Sequence, residues 1–206
     1  MYFRRVPDIL YLKYNKNPFD GQYIQIKNIF ARIKLIDNIV PGSTIFDDYF
    51  IQDGERPDTI SYDYYGSSGY DWIILIINNI KNIYSDWPLT QLAFNEYVET
   101  TYTDPTGVHH YETVEQYYKG KKVLDGGITV SETFQFVKPD GNLVPLDESR
   151  GPVSNYVYEM RKNDKKREIF LLKPDLLDQF VQIFENEIKF TPSTEYINER
   201  LKLSNN

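Results

Sequence analysis

Between Asp53 and Asn79 the chain reads DGERPDTISYDYYGSSGYDWIILIINN, and no other stretch constrains the fold as tightly. Gly54 marks a turn. Asp58 follows Pro57, where its carboxylate can accept hydrogen bonds from the free amides of a first helical turn, and Gly66 after Tyr65 can adopt the left-handed conformation that ends a helix. The spacing therefore predicts a short helix between them. The run from Trp72 to Ile80 is apolar at nearly every position. It fits a buried strand and a buried helix equally, and periodicity does not decide between them.

The flanking segments carry clearer periods. Ile26, Ile29, Phe30, Ile33, Ile36 and Val40 recur at three- and four-residue steps, which predicts an amphipathic helix over residues 24–40. Pro41-Gly42-Ser43 breaks that pattern, and Thr44 to Gln52 has the β-branched and aromatic content of a strand. After Trp87-Pro88, residues 89–97 place Leu89, Leu92, Ala93, Phe94 and Tyr97 near one helical face, with Pro88 suited to the first helical position.

A turn-rich boundary at residues 103–107 introduces a β-rich region. Ile128, Val130, Phe134 and Phe136 alternate with polar residues, as in a half-buried strand that ends at the turn Lys138-Pro139-Asp140-Gly141. Tyr156, Tyr158 and Met160 alternate as well, and Asn163-Asp164 can turn the chain into residues 167–172, which predicts a β-hairpin. Leu177, Phe180, Val181, Phe184 and Ile188 form the apolar stripe of a final helix that begins near Pro174. The polar end holds either a short helix around Tyr196 to Leu201 or no fixed structure. The expected class is α+β in three segments: an N-terminal helix and strand (1–52), a helical module (53–103), and a β-rich region with a C-terminal helix (104–206).

Most functional classes find no support. A net charge of −7 leaves too few cations to displace phosphate counterions, so nucleic acid is not an expected partner. The cluster RKNDKKR over residues 161–167 is interrupted by Asn163 and Asp164, reads as a solvated turn and is given no function. The longest apolar run, Trp72 to Ile77, is far short of the roughly 20 residues that span a bilayer. The Arg4-Arg5 start lacks the apolar stretch of a signal peptide. With no cysteine there is no disulfide framework, thiol nucleophile or thiolate metal site, which fits folding in a reducing cytoplasm. His109 and His110 are adjacent, so in a strand they should face opposite ways and not share a metal.

Gly66-Ser67-Ser68-Gly69 lacks the spacing of a serine elbow, and no phosphate-binding or dinucleotide glycine pattern occurs. No catalytic, cofactor-binding or metal-binding residue is nominated. The 18 tyrosines and 12 phenylalanines suit a binding surface, though an AT-rich genome would enrich them too. Trp72, Ile76 and Tyr65 are expected in the core. Arg56, set among turn residues, is the candidate exposed partner contact.

The order Gly54, Asp58, Thr59, Tyr65, Gly66, Trp72, Asn79 resembles the LysM module, a small sugar- or protein-binding fold of βααβ type. That resemblance implies a helix over residues 72–80 and a groove between the loops around residues 54–59 and 79–83. In this chain Glu55-Arg56-Pro57 stands between Gly54 and Asp58, where LysM modules run Gly-Asp-Thr directly.

Across nearly its whole length the chain also resembles the small baseplate wedge subunit of contractile-tailed bacteriophages, which carries a LysM-like segment. The matching features include Ile29-Phe30, Arg56-Pro57, Tyr65-Gly66, Trp72, Asn79, Tyr84, Trp87, Tyr158-Glu159 and the charged stretch Asn163 to Ile169. The resemblance implies a structural protein of the virion tail, assembled in the host cytoplasm. Its partners would be the helical core bundle of the large wedge subunits and neighbouring wedges, with the sheath-initiator and hub proteins as further candidates. Neither nucleic acid nor membrane is implied as a partner. A related contractile injection machine remains an alternative setting. A peptidoglycan or glycan binder of LysM type is the alternative function, and a cell-wall hydrolase is the third.

Overall fold

The computed structural model describes residues 2–13, 22–28, 44–188, 196–198 and 201–202. The chain is mixed α+β and forms two compact units, one built from residues 1–87 and 168–206, the other from residues 88–167. This grouping by contact differs from the division drawn on residue character.

The first unit begins with strands β1 (Asp8–Lys13) and β2 (Gln22–Lys27), paired antiparallel with Asp8 opposite Lys27. Lys27 Nζ meets Asp8 Oδ1 across the pair at 2.8 Å, the opposite-charge arrangement that steadies a ladder end. The helix expected over residues 24–40 thus begins on residues that pair as a strand. Its remainder from residue 29 lies outside the described residues.

Strand β3 (Phe46–Phe50) falls within the predicted strand and is followed by a turn at Gly54, φ +80°. Helix α1 (Pro57–Tyr65) follows. Its N-cap position is Arg56, and no side chain caps it. The expectation that Asp58 caps the helix is corrected: Pro57 occupies the first helical position, so Asp58 already lies inside the first turn, where its carboxylate takes Arg56 Nε instead. Gly66 closes the helix in the left-handed region, φ +74°, its amide bonded to the Tyr62 carbonyl at 2.9 Å.

The ambiguous apolar run is helix α2 (Asp71–Ile77). It buries apolar side chains on two sides. Trp72, Ile73 and Ile76 pack with Val6, Leu172, Leu177, Val181, Phe184 and Ile188. Ile74 packs with Ile51, Ile60, Trp87, Ile169 and Leu171. A helix apolar all round is a helix buried all round, which is why no periodicity shows. Short helix α3 (Ile83–Asp86) ends this part of the unit.

The second unit opens with α4 (Gln91–Thr101). Thr90 caps it, its Oγ1 accepting from the Ala93 amide at 3.3 Å, so the helix starts after Thr90 rather than at Pro88. Strand β4 (Val108–Thr113) follows, then the hairpin of β5 (Gln116–Tyr118) and β6 (Lys121–Leu124). Next come β7 (Thr129–Val130), short helix α5 (Leu146–Ser149) and β8 (Arg150–Ser154). A sheet in the order β7-β4-β8 results.

The long strand predicted over residues 128–136 is reduced to β7. Beyond it the backbone is claimed by other partners: the Phe134 amide bonds the Ser131 carbonyl and the Phe136 amide bonds Ser149 Oγ, both at 3.1 Å. The predicted turn at Lys138–Gly141 is present, with Gly141 at φ +86° and its amide on the Lys138 carbonyl at 2.8 Å.

Residues 155–165 form helix α6 (Asn155–Lys165), not one arm of a hairpin. Ser154 Oγ caps it by accepting from the Val157 amide at 3.3 Å. The residues it buries are polar, Glu159 and Asn163, one helical turn apart. Glu159 accepts from Tyr102 Oη at 2.9 Å, and Asn163 binds the Leu89 amide and carbonyl at 2.7 and 3.1 Å. Alternating Tyr156, Tyr158 and Met160 imitated a strand because the inward face carries hydrogen bonds rather than apolar groups. Residues 161–165 of the RKNDKKR cluster continue this helix, and the expected turn is confined to Lys166 and Arg167 at its end. His109 and His110 also depart from expectation: a register shift of β4 against β8 between Val108 and His110 lets the two imidazoles meet.

The chain then returns to the first unit as β9 (Glu168–Leu172), antiparallel to β3 with Phe46 opposite Leu172 and Phe50 opposite Glu168. Helix α7 (Leu177–Glu187) presents the predicted stripe, with Leu177, Val181 and Phe184 buried and Ile188 just past its end buried too. The terminal segment contains paired strands β10 (Tyr196–Asn198) and β11 (Leu201–Lys202) where a short helix was one alternative.

Candidate partner-binding groove

Glu55 organises the turn from which the groove is built. Its Oε2 accepts from the Gln52 amide at 2.7 Å, its Oε1 accepts from Tyr49 Oη at 2.9 Å, and its carbonyl accepts from Trp87 Nε1 at 2.9 Å. Burial, followed by the Glu55 hydrogen bond, pushes the Tyr49 phenol up to about 12, so Tyr49 remains a donor at neutral pH. The bond from Trp87 brings the segment before residue 88 against the turn that precedes α1.

Opposite this turn, Asp86 frames the loop around α3. Its Oδ2 accepts from the Lys81 and Asn82 amides at 2.8 and 3.0 Å, and its Oδ1 accepts from Ser85 Oγ at 2.8 Å. Asn82 Oδ1 caps α3 through the Tyr84 amide at 3.0 Å. Every short polar residue here satisfies backbone, which fixes a loop that would otherwise be mobile. Tyr84, carried on it, is 89% exposed.

Between the two loops lies a cavity of about 550 Å³. Leu75 and Trp87 supply apolar surface, while Arg56, Asp58, Asp71 and Tyr84 supply its polar groups. The Arg56 side chain is 75% exposed, and its Nε lies 3.0 Å from Asp58 Oδ1. That single bond orients the guanidinium, whose remaining donors suit carboxylates or carbonyls. Chemically this is an amphipathic recognition surface. Among the described residues no group of three or more His, Asp or Glu could hold a metal, and no helix is long and apolar enough to cross a membrane.

The residues singled out in the sequence divide between groove and scaffold. Arg56 and Asp58 meet in the groove. Thr59 is exposed on α1, and Asn79 is exposed at φ +53° just after α2. Gly54 and Gly66 hold left-handed turns. Tyr65 packs against both apolar clusters, and burial raises its phenol to about 12. Trp72 is only 4% exposed and stacks in tilted fashion on Phe184 at 4.6 Å. Asp71 and Leu75, which line the groove, and Glu55 and Asp86, which hold its two loops, carried no distinguishing sequence signal. Trp87-Pro88 and the adjacent Tyr84 are the visible marks of its second loop.

A family model described as base plate wedge protein 53 matches residues 1–186 of the chain. No curated protein matches it.

Proposed function

The chain belongs to the base plate wedge protein 53 family, and from that premise we propose how this structural component of a phage tail baseplate engages its neighbours. The protein is a non-catalytic connector, assembled into the wedge in the host cytoplasm. It binds the helical core bundle of the wedge and helps neighbouring wedges join around the hub, with hub and sheath-initiator proteins as further contacts. Nucleic acid and membrane play no part in this role.

The observation that carries the reading is the pairing of Arg56, oriented by Asp58, with exposed Tyr84 beside a preformed groove. Arg and Tyr are the residues most enriched where interface energy concentrates, and a rigid frame reduces the ordering cost of association. The order β3-α1-α2 followed by β9 as partner of β3 supports the LysM-like reading of this unit. Its second strand then comes from residues 168–172, after the whole of the second unit.

The groove also favours a second reading, a glycan-binding site, because it lies between the two loops to which the LysM resemblance points. A tagged copy captured from phage-producing cells, with mass spectrometry of what accompanies it, distinguishes the two. Recovery of other baseplate subunits is expected. Recovery of cell-wall material without virion proteins would replace the connector reading with the glycan one.

A further inference from the structure

The β5–β6 hairpin of the second unit carries a charge opposite to that of the chain as a whole. Residues 116–124 read QYYKGKKVL, with three lysines and no carboxylate, in a chain of net charge −7. The hairpin forms a two-stranded sheet of its own and is anchored at its base, where Gln116 Nε2 donates to the Glu148 carbonyl at 2.7 Å. Beyond that base Tyr117 is 59% exposed, and Lys119, Gly120 and Lys121 are exposed as well.

The ladder sorts these side chains by face. Tyr117 lies opposite Lys122 and Tyr118 opposite Lys121, and opposed residues share a face while successive residues alternate. On the Tyr117 face Lys122 is already neutralised, with its Nζ 2.7 Å from Asp125 Oδ1 and 3.3 Å from Glu115 Oε1. The Tyr118 face has no such balance. Lys119 Nζ is 5.2 Å from the centroid of the Tyr118 ring, and among the described residues neither Lys119 nor Lys121 pairs with a carboxylate.

The turn adds an independent sign. Lys119 and Gly120 are its two central residues, both left-handed at φ +50° and +76°. A two-residue turn of this kind favours Asn-Gly, because asparagine visits the left-handed region more readily than lysine does. Lysine here strains the backbone and sets a cation at the tip, and such strain gathers where function needs the side chain.

We propose that the face formed by Tyr118, Lys119 and Lys121 docks on a carboxylate-bearing surface of another baseplate subunit. The proposal rests on the connector reading and adds to it a contact made by the second unit, with the charge of the partner. Nucleic acid and an anionic bilayer fit less well. Both extend negative charge far beyond a two-lysine face, where Glu115, Asp125 and the other acidic residues of the chain repel it. A discrete acidic patch on a protein meets the cations alone. Complementarity of this exposed kind sets partner choice and encounter rate more than affinity.

Carbodiimide crosslinking tests the contact, since it joins an amine to a touching carboxylate as an amide with loss of water. Baseplate complexes captured from phage-producing cells on the tagged full chain are treated, and the linked peptides are identified by mass spectrometry. Lys122 and Asp125, 2.7 Å apart, supply an internal control. Links from Lys119 or Lys121 to Asp or Glu of another baseplate subunit are expected. Their absence while Lys122 links to Asp125 would overturn the docking face and leave the connector reading standing. Recovery of no baseplate subunit would overturn both. Links from either lysine only to carboxylates of this chain, in the same or a second copy, would also refute the proposal.

Lys119→Asn combined with Lys121→Gln separates docking from folding. The asparagine relieves the turn, so the melting midpoint should match or exceed the parent's. Recovery of baseplate subunits should fall about threefold to tenfold, the loss of two exposed charge pairs. Recovery equal to the parent's would sink the docking role, as would nucleic acid or lipid recovered by the parent and lost by this variant.

Discussion

The carboxamide of Asn78 closes a ring of two hydrogen bonds with the backbone of Phe170, 92 residues away: Nδ2 donates to the Phe170 carbonyl at 2.9 Å, and Oδ1 accepts from its amide at 2.8 Å. Nδ2 also donates to the Ile74 carbonyl at 2.9 Å. One side chain therefore does for β9 what a neighbouring strand would do, and it ties that strand to the end of α2. Asn78→Ala leaves the Phe170 groups part-buried and unmatched, at a cost of about 1–3 kcal/mol. Urea unfolding measures the loss, and amide exchange at Phe170 locates it; unchanged protection there would show that the ring does not form.

Trp72 fills the space between α2 and α7. Trp72→Ala should cost about 3–5 kcal/mol through the cavity it leaves. The indole Nε1 has no hydrogen-bond partner among the described residues. Trp72→Phe therefore loses no bond and should cost far less than the alanine variant. A thermal melt of Trp72→Ala that matched the parent would contradict burial of the ring.

Arg56 is exposed, so its truncation should leave the fold alone. Arg56→Ala is expected to lower incorporation into wedges at an unchanged melting temperature. The Asp58 bond it gives up is a surface pair worth about 0–1 kcal/mol at most. Full incorporation of the variant would remove the groove from the proposed interface.

Glu112 gives the chain a sensitivity to acid. Its carboxyl is lowered first by Arg161, so the folded state favours the charged form. That stability is present above the ordinary glutamate value of about 4.3 and is lost as pH falls through the lower folded value. Glu112→Gln should melt earlier than the parent at neutral pH and converge with it in strong acid. Parallel melting curves across that range would show that the Arg161 pair contributes nothing to stability.

The elements legible in the sequence were those whose local chemistry and burial agree. Gly66 needed its left-handed turn, and Leu177 to Ile188 needed one buried face, so α1's end and α7's stripe could be read directly. Other elements depended on distant partners. Ile128 to Phe136 alternates like a strand, but Ser149 takes the Phe136 amide and the ladder stops at Val130. Helix α6 was hidden because Glu159 and Asn163 face inward for their hydrogen bonds, which hydropathy cannot register. Both loops of the groove, around residues 54–59 and 79–83, were implied by the LysM resemblance, but from the residues themselves only Arg56 stood out as an exposed contact. The other wall of the groove depends on Asp86 and on the bond from Trp87 to Glu55, neither of which leaves a pattern in neighbouring residues.

Leu89 is gripped by Asn163 through both its amide and its carbonyl, and Arg167 Nη2 joins at the same carbonyl at 3.1 Å. These bonds join residues near the two ends of the segment that interrupts the first unit, so they act on the entropy of chain closure. Bringing Asn78 to Phe170 would otherwise require closing a loop of 92 residues. Once the 74 residues spanned by Leu89 and Asn163 are tied off, the loop shortens by more than two doublings, at about 0.6 kcal/mol each. A middle segment that folds first thereby turns a long interruption into a short connection, and the β3–β9 pairing forms as if its strands were near neighbours in sequence.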